Sequence, residues 1–284
     1  MKTTEPTPFD NLSALFIQDG RPVLTQSELN RLLRNSLPAK LRPKPIQEIL
    51  ERTGAIRTRV LKSEAYEDVK RISVPALQPT PFHYALSLRG SAYLSHASAV
   101  YLLGLTQQQP KTVYVNKEQS SKPAAVGPIN QESIDRAFSR PQRRSNYVYK
   151  IDGFQIVLLS GKSTGNAGVI NEAKTRLPMT CLERTLIDIV VRPRYAGGVF
   201  QVAQAFSQAA KEVDIPKLVS LLSRLNYRYP YHQALGFYLE HAGINDSRLG
   251  QLRDLGLQFD FYLDYSMENP SFSKSWRVFY PLGV

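Results

Sequence analysis

The 284-residue sequence predicts an α+β (mixed α/β) protein in two domains, residues 1–78 and 79–284. Three observations lead there. Short amphipathic helical patterns, then two alternating runs, fill the first eighty residues. The stretch VPALQPTP at 74–81 interrupts all periodicity and reads as a linker. Beyond it, strand and hairpin patterns flank a run of amphipathic helices, as expected for helices clustered beside a small mixed or antiparallel sheet.

In the first part, FDNLSALF puts Phe9, Leu12, Leu15 and Phe16 on one helical face, and GRPVL follows as a short extended piece. TQSELNRLLRN opens a second helix, with Thr25 and Glu28 spaced as a capping box and Leu29, Leu32 and Leu33 as its stripe. PKPIQEILERTGAI opens a third: Pro45 is tolerated in its first turn, Ile46, Ile49 and Leu50 face inward, and Gly54 closes it. AIRTRVLK and VKRISV then alternate as two strands joined by SEAYED.

Three short helices and a two-stranded hairpin make a winged helix-turn-helix, whose third helix enters the major groove while the hairpin meets the backbone. On that arrangement Lys44, Gln47, Glu48, Glu51 and Arg52 lie on the solvent face of the third helix. Arg57, Arg59 and Lys62 line the first wing strand, and Thr25, Lys40 and Arg42 are candidate phosphate contacts. Glu64, Glu67 and Asp68 at the wing tip oppose a phosphate backbone, and Glu48 and Glu51 call for a cytosine amino group to satisfy them. A winged helix used only for protein contacts stands as the alternative.

Net charge is +12, and its placement is uneven. Residues 34–62 carry eight basic side chains against Glu48 and Glu51, whereas 151–284 carry fourteen against twelve acidic. Such clustering attracts polyanions. The lone Cys181 rules out an internal disulfide and suits a reducing cytosol. MKTTEPTPFDN lacks the apolar run of a signal peptide, and no stretch is long and apolar enough for a bilayer span, so a cytoplasmic protein without membrane contact is expected.

In the second part, VLLSGKSTGNAG at 157–168 looks like the mouth of a phosphate-binding loop. The P-loop pattern places its first glycine where Ile156 stands, and no helix pattern begins at Ser163. Asp152-Gly153 joins two alternating runs, so the strand before the loop is the return arm of a hairpin. The segment is therefore expected to be a plain loop. YLSHASAVYLLGLT reads as a helix with Ser95 as N-cap and Gly104 as terminator, KTVYVN as a strand, and 117–146 as a mobile surface region. TCLERTLIDIVV reads as a helix capped by Thr180 and Glu183, with Leu182, Leu186 and Ile189 inward and Arg184 and Asp188 as a surface ion pair. Four further amphipathic helices precede two strands, LQFDFYLD and WRVFYP.

Enzyme chemistry finds little support in these residues, and no cofactor or metal is expected. His83, His96, His232 and His241 show no metal-ligand spacing with one another or with Cys181. Asp260, Asp264 and Glu240 would suit a metal-dependent nuclease, but no acidic-x-lysine pair follows them. Tyr227, Tyr229 and Tyr231 suit either a protein interface or base stacking.

On YLSHASAVYLLGLT, CLERTLIDIVVRPRYAGG, YHQALGFYLEHAG and SWRVFYP, the chain resembles the AbiEi-type antitoxins of type IV toxin–antitoxin (abortive infection) systems. The most specific piece is ERTLIDIVVRPRYAGG. The resemblance implies a two-domain antitoxin and autorepressor and carries over no catalytic residues. Its winged helix would bind inverted repeats in its own duplex promoter DNA. Its C-terminal antitoxin domain would counter a nucleotidyltransferase toxin from the adjacent gene, and a stable complex between the two is not required. Arg184 and Asp188 are the candidates for antitoxin function, as the pair that organises the central helix. A stand-alone winged-helix regulator without a toxin is the alternative.

Overall fold

The computed structural model describes residues 10–36, 43–121 and 129–284. In chain order the elements begin with α1 (Asp10–Asp19), β1 (Val23–Leu24), α2 (Gln26–Ser36), α3 (Pro43–Arg52), β2 (Arg57–Ser63), β3 (Val69–Ser73) and α4 (Pro81–Leu86). They continue with β4 (Tyr93–Leu94), α5 (Ala97–Leu102), β5 (Thr112–Glu118), α6 (Gln131–Phe138), β6 (Val148–Ile151), β7 (Phe154–Gly161), β8 (Val169–Asn171) and β9 (Pro178–Thr180). The remainder comprises α7 (Leu182–Val191), α8 (Val199–Ala209), α9 (Ile215–Leu225), α10 (Tyr231–His241), α11 (Asp246–Arg253), β10 (Phe261–Tyr262), β11 (Ser271–Ser273) and β12 (Val278–Tyr280). The class is mixed α/β, with eleven α-helices among the described residues.

The chain forms two compact units. The first runs to Ser91 and also takes in Asn146–Val157. Its core gathers Phe16 from α1, Leu29 and Leu33 from α2, Ile46 and Leu50 from α3, and Leu24, Ile56, Ile72 and Val74. Thr25 and Glu28 cap α2 as the spacing predicts: the Thr25 N–H and hydroxyl donate to the Glu28 carboxylate at 2.7 and 2.8 Å. The strands run β1-β3-β2-β6-β7, all pairs antiparallel. β6 and β7 form the hairpin expected at Asp152-Gly153, both turn residues having positive φ, the two-residue turn that matches strand twist.

Two expectations for this unit change. The 74–81 stretch is ordered. Val74 is buried and donates to the Pro22 carbonyl at 2.9 Å, 75–77 form a 3-10 turn, and Thr80 caps α4. Prolines there fit turns and helix starts, where their missing N–H costs nothing. And β2 is not the outer strand of a two-stranded wing, because β6 pairs with it through Lys62↔Lys150 and Ser63↔Tyr149.

The second unit spans Ala92–Ser145 and Leu158–Val284. Strands β7, β5, β4, β9 and β8 lie in that order, and β10, β12 and β11 form a separate three-stranded sheet. α7 is its axis: every residue from Glu183 to Val191 is buried, not only the expected stripe. Its core includes Phe206 and Tyr238, stacked at 5.0 Å, Phe138, Phe261 and Trp276. The expected mobile region 117–146 instead contains α6, whose Phe138 packs edge-on to Phe261 at 4.9 Å. N-caps shift by one residue: Cys181 rather than Thr180 precedes α7, and His96 rather than Ser95 precedes α5. Thr180 ends β9 instead, its hydroxyl bonded to that of Thr185 at 2.7 Å.

Candidate functional site

The cations singled out in the first unit fall on α3 and β2. Lys44 and Arg52 on α3 and Arg57 and Lys62 on β2 are exposed, and none of the four forms an ion pair among the described residues. Lys40 and Arg42 lie outside the described residues. Thr25 is engaged as the α2 cap. Gln47 accepts from Gln26 at 2.8 Å and donates to Glu51 at 3.2 Å, and Glu51 accepts from Thr58 at 2.5 Å. The solvent row of α3 is thus tied by hydrogen bonds to the start of β2. Glu51 does not need the cytosine amino group expected for it, because its carboxylate already has two donors within the chain.

Two of the three acidic groups at the wing tip are likewise engaged. Asp68 accepts from the Ser63 N–H at 3.1 Å, Glu64 pairs with Lys150, and Tyr66 stacks on Tyr147 at 4.4 Å. Arg59 pairs with Asp152 of the β6–β7 turn. Between β2 and this hairpin lies an open cleft of about 700 Å³. Lys150, the pairing of Asp152 with Arg59 and the partnering of the hairpin with β2 are invisible to sequence reasoning. The DG turn marks a hairpin but not what it pairs with.

In the second unit, Lys162-Ser163-Thr164, directly after β7, is a loop wrapped around a carboxylate of the chain itself. Glu118 accepts from the Thr164 hydroxyl, from the Thr164 N–H at 2.7 Å, from the Asn166 N–H at 3.2 Å and from the Tyr93 hydroxyl at 3.2 Å. Burial alone would raise the Glu118 pKa; these hydrogen bonds outweigh it and hold the group below the usual carboxylate value. Lys162 donates to the Leu225 and Asn226 carbonyls at 3.1 and 2.6 Å, capping the C-terminal end of α9. Gly161 admits Asn116, which a Cβ would meet at 2.6 Å; Gly168, at φ +73°, would press a Cβ to 2.8 Å from that of Arg184. Two of the glycines that suggest a phosphate cradle, Gly161 and Gly168, thus serve internal packing.

Arg184 and Asp188 do pair, Nε to Oδ1 at 2.8 Å, but in the interior, at 4% and 6% exposure. This corrects the surface pair expected from their spacing. Arg184 also donates to the Ala167 carbonyl at 2.6 Å, tying α7 to the loop. Burial pushes the Asp188 carboxyl up, with Arg184 opposing. Glu183, far from capping α7, is buried and pairs with Lys217 at 2.7 Å. Of the three tyrosines read as suited to an interface or base stacking, Tyr231 is buried and Tyr227 and Tyr229 are half-buried: Tyr231 packs edge-on to Phe261 at 5.2 Å, and Tyr229 to Phe138 at 5.8 Å.

Comparison with known proteins adds a fold. No family model and no curated protein matches the sequence. The crystal structure of the RV2827C protein from Mycobacterium tuberculosis is similar, with a TM-score of 0.57 and 15% identity, covering 98% of this chain and 92% of that one. At that identity the likeness is one of fold.

The remaining chemically capable residues have structural partners. Asp260 pairs with Arg277 at 2.7 Å and Glu240 with Arg253 at 3.2 Å, while Asp264 lies 3.8 Å from Arg194. His232 bonds the Gly256 carbonyl at 2.6 Å, His83 closes the α4 cap, and His241 stacks on Phe237 at 4.4 Å. His96 sits at φ 51°, ψ −132°, with Nδ1 2.9 Å from the buried Ser95 hydroxyl. Burial, with Arg184 and Arg192 nearby, pushes its pKa down to about 3, so the ring is neutral. Burial raises the Cys181 thiol, which disfavours a reactive thiolate. Among the described residues no group of His, Cys, Asp and Glu could hold a metal, and no helix is long and apolar enough to cross a membrane.

Proposed function

We propose that this chain is an AbiEi-like type IV antitoxin that represses its own promoter. The observation that carries the DNA-binding half is the run of exposed, unpaired cations from Lys44 and Arg52 on α3 to Arg57 and Lys62 on β2. The order α1-β1-α2-α3-β2-β3, with β1 beside β3, is the order of a winged helix. Its α3 is then the helix offered to the major groove. The antitoxin half rests on the sequence resemblance. We take neutralisation of a nucleotidyltransferase toxin to be non-catalytic, because the candidate groups have structural partners: Glu118 the Thr164 N–H, Glu183 the Lys217 ammonium, and Arg184 and Asp188 each other.

The test uses the full chain. It should bind duplex from its own upstream region more tightly than a scrambled duplex at physiological salt, with affinity falling steeply as salt rises. Arg52→Ala should relax sequence preference, and Arg57→Ala should weaken all duplexes alike. Co-expression with a nucleotidyltransferase from the neighbouring gene should spare cells, and a Lys44→Ala, Arg52→Ala variant should still protect. Equal affinity for both duplexes would defeat the regulator reading; failure of the intact chain to protect would defeat the antitoxin reading.

A further inference from the structure

The β6–β7 hairpin brings to β2 a second set of cations. Antiparallel register sets Lys62 directly opposite Lys150. Like charges facing each other across a ladder are destabilising, so folding does not favour this pairing. Glu64 relieves Lys150 but leaves Lys62 without a carboxylate partner. The face carrying Lys62 also carries Thr58 and Val60, since residues two apart share a side of a strand. Thr58 is bonded to Glu51 of α3, so one surface runs from the solvent row of α3 along β2 to Lys62 and across to Lys150. From Thr58 to Lys62 the strand advances about 13 Å. Three cations, Arg59, Lys62 and Lys150, line the adjoining cleft against one carboxylate, Asp152.

We propose that this cleft is a second backbone-contact surface for duplex DNA, with Lys62, Lys150 and Arg59 binding phosphates. In the free protein Glu64 and Asp152 occupy Lys150 and Arg59. This rests on the reading of α3 and β2 as a DNA-binding unit and extends it to residues far along the chain. The occupant follows from charge and position: Lys62 and Lys150 continue the surface α3 presents, Arg59 lines the same cleft from the other side of β2, and a polyanion crossing α3 meets them next. Both acidic partners are on exposed side chains, Asp152 at 53% and Glu64 at 83%. A phosphate can therefore replace them without burying an unpaired charge. The acidic groups act as a brake, lowering affinity for any duplex without touching sequence preference.

The test is a salt titration of the full chain against its upstream duplex and a scrambled one. Lys62→Gln and Lys150→Gln should each weaken both duplexes alike and lower the slope of log affinity against log salt by about 1. Lys150→Arg should restore the wild-type slope, separating charge from folding. Asp152→Asn and Glu64→Gln should each tighten both duplexes several-fold. An unchanged slope and affinity in Lys150→Gln, with Arg52→Ala impaired, would overturn the cleft and leave the DNA-binding reading standing. Changes seen with an RNA duplex and not with DNA would overturn the assignment of the occupant. No salt-dependent binding of any duplex by the wild type would remove both.

Discussion

Arg59 and Asp152 meet in the open, with 34% and 53% of their side chains exposed, whereas Arg184 and Asp188 meet at 4% and 6%. The chemistry of the two pairs is the same; the surroundings decide what each can do. An exposed pair gains little and can exchange its partner for water or another anion at small cost. A buried pair offers no such exchange, because removing one member leaves the other charged, desolvated and unmatched. The first suits reversible recognition and the second fixes a helix in place.

The largest effect expected from this contrast is on Arg184. Arg184→Ala should cost about 3–5 kcal/mol in denaturant unfolding, while Arg184→Met with Asp188→Leu should recover most of that loss. A cost below about 1 kcal/mol for the single variant would mean that the interior tolerates the charge and would erase the contrast. It follows that loss of protection in Arg184→Ala reports folding first, and only the double variant can separate a role in neutralisation.

Gly168→Ala should be next, at roughly 2–3 kcal/mol, because it combines a left-handed backbone with a contact on the Arg184 Cβ. Thermal melts of Gly168→Ala and Gly165→Ala make the comparison, since Gly165 is also left-handed yet has open space around it. Equal losses would assign the effect to backbone alone.

Glu118 sharpens the picture through pH. Its folded pKa lies below the usual value near 4.5, so its contribution is complete above that value and is lost as pH falls through the lower folded pKa. Glu118→Gln should flatten that acid limb and remove about 1–2 kcal/mol near neutrality, a figure discounted for partial exposure. An unaltered acid limb in the variant would show that other carboxylates carry it. The smallest effect belongs to Arg59: Asp152→Asn should change unfolding by about 0–1 kcal/mol, so its readout is binding rather than stability.

Much of the first unit was legible because its information is local. The Thr25–Glu28 cap, the α3 stripe of Ile46 and Leu50, and the DG turn each act within a few residues. The same local spacing put Arg184 and Asp188 on one helical face but could not tell which faces of α7 other elements cover. Helix α6 was missed because polar flanks hid two anchoring residues, Ile134 and Phe138. The partner of the β6–β7 hairpin, and with it Lys150, was out of reach: strand pairing is set by register with a distant segment, not by composition.

That distant pairing has a consequence for how the molecule comes into being. Lys150 meets Glu64 across 86 residues of chain. During synthesis the outer edge of β2 must wait, unpaired, while α5, β5 and α6 emerge, before the hairpin arrives to cover it. Such non-local contacts make folding slow, since the intervening chain must be ordered before the ladder closes. Until then an open strand edge faces every other nascent copy. A fragment ending at residue 78 keeps that edge bare permanently, and its expected fate is self-association rather than a faithful miniature of the first unit.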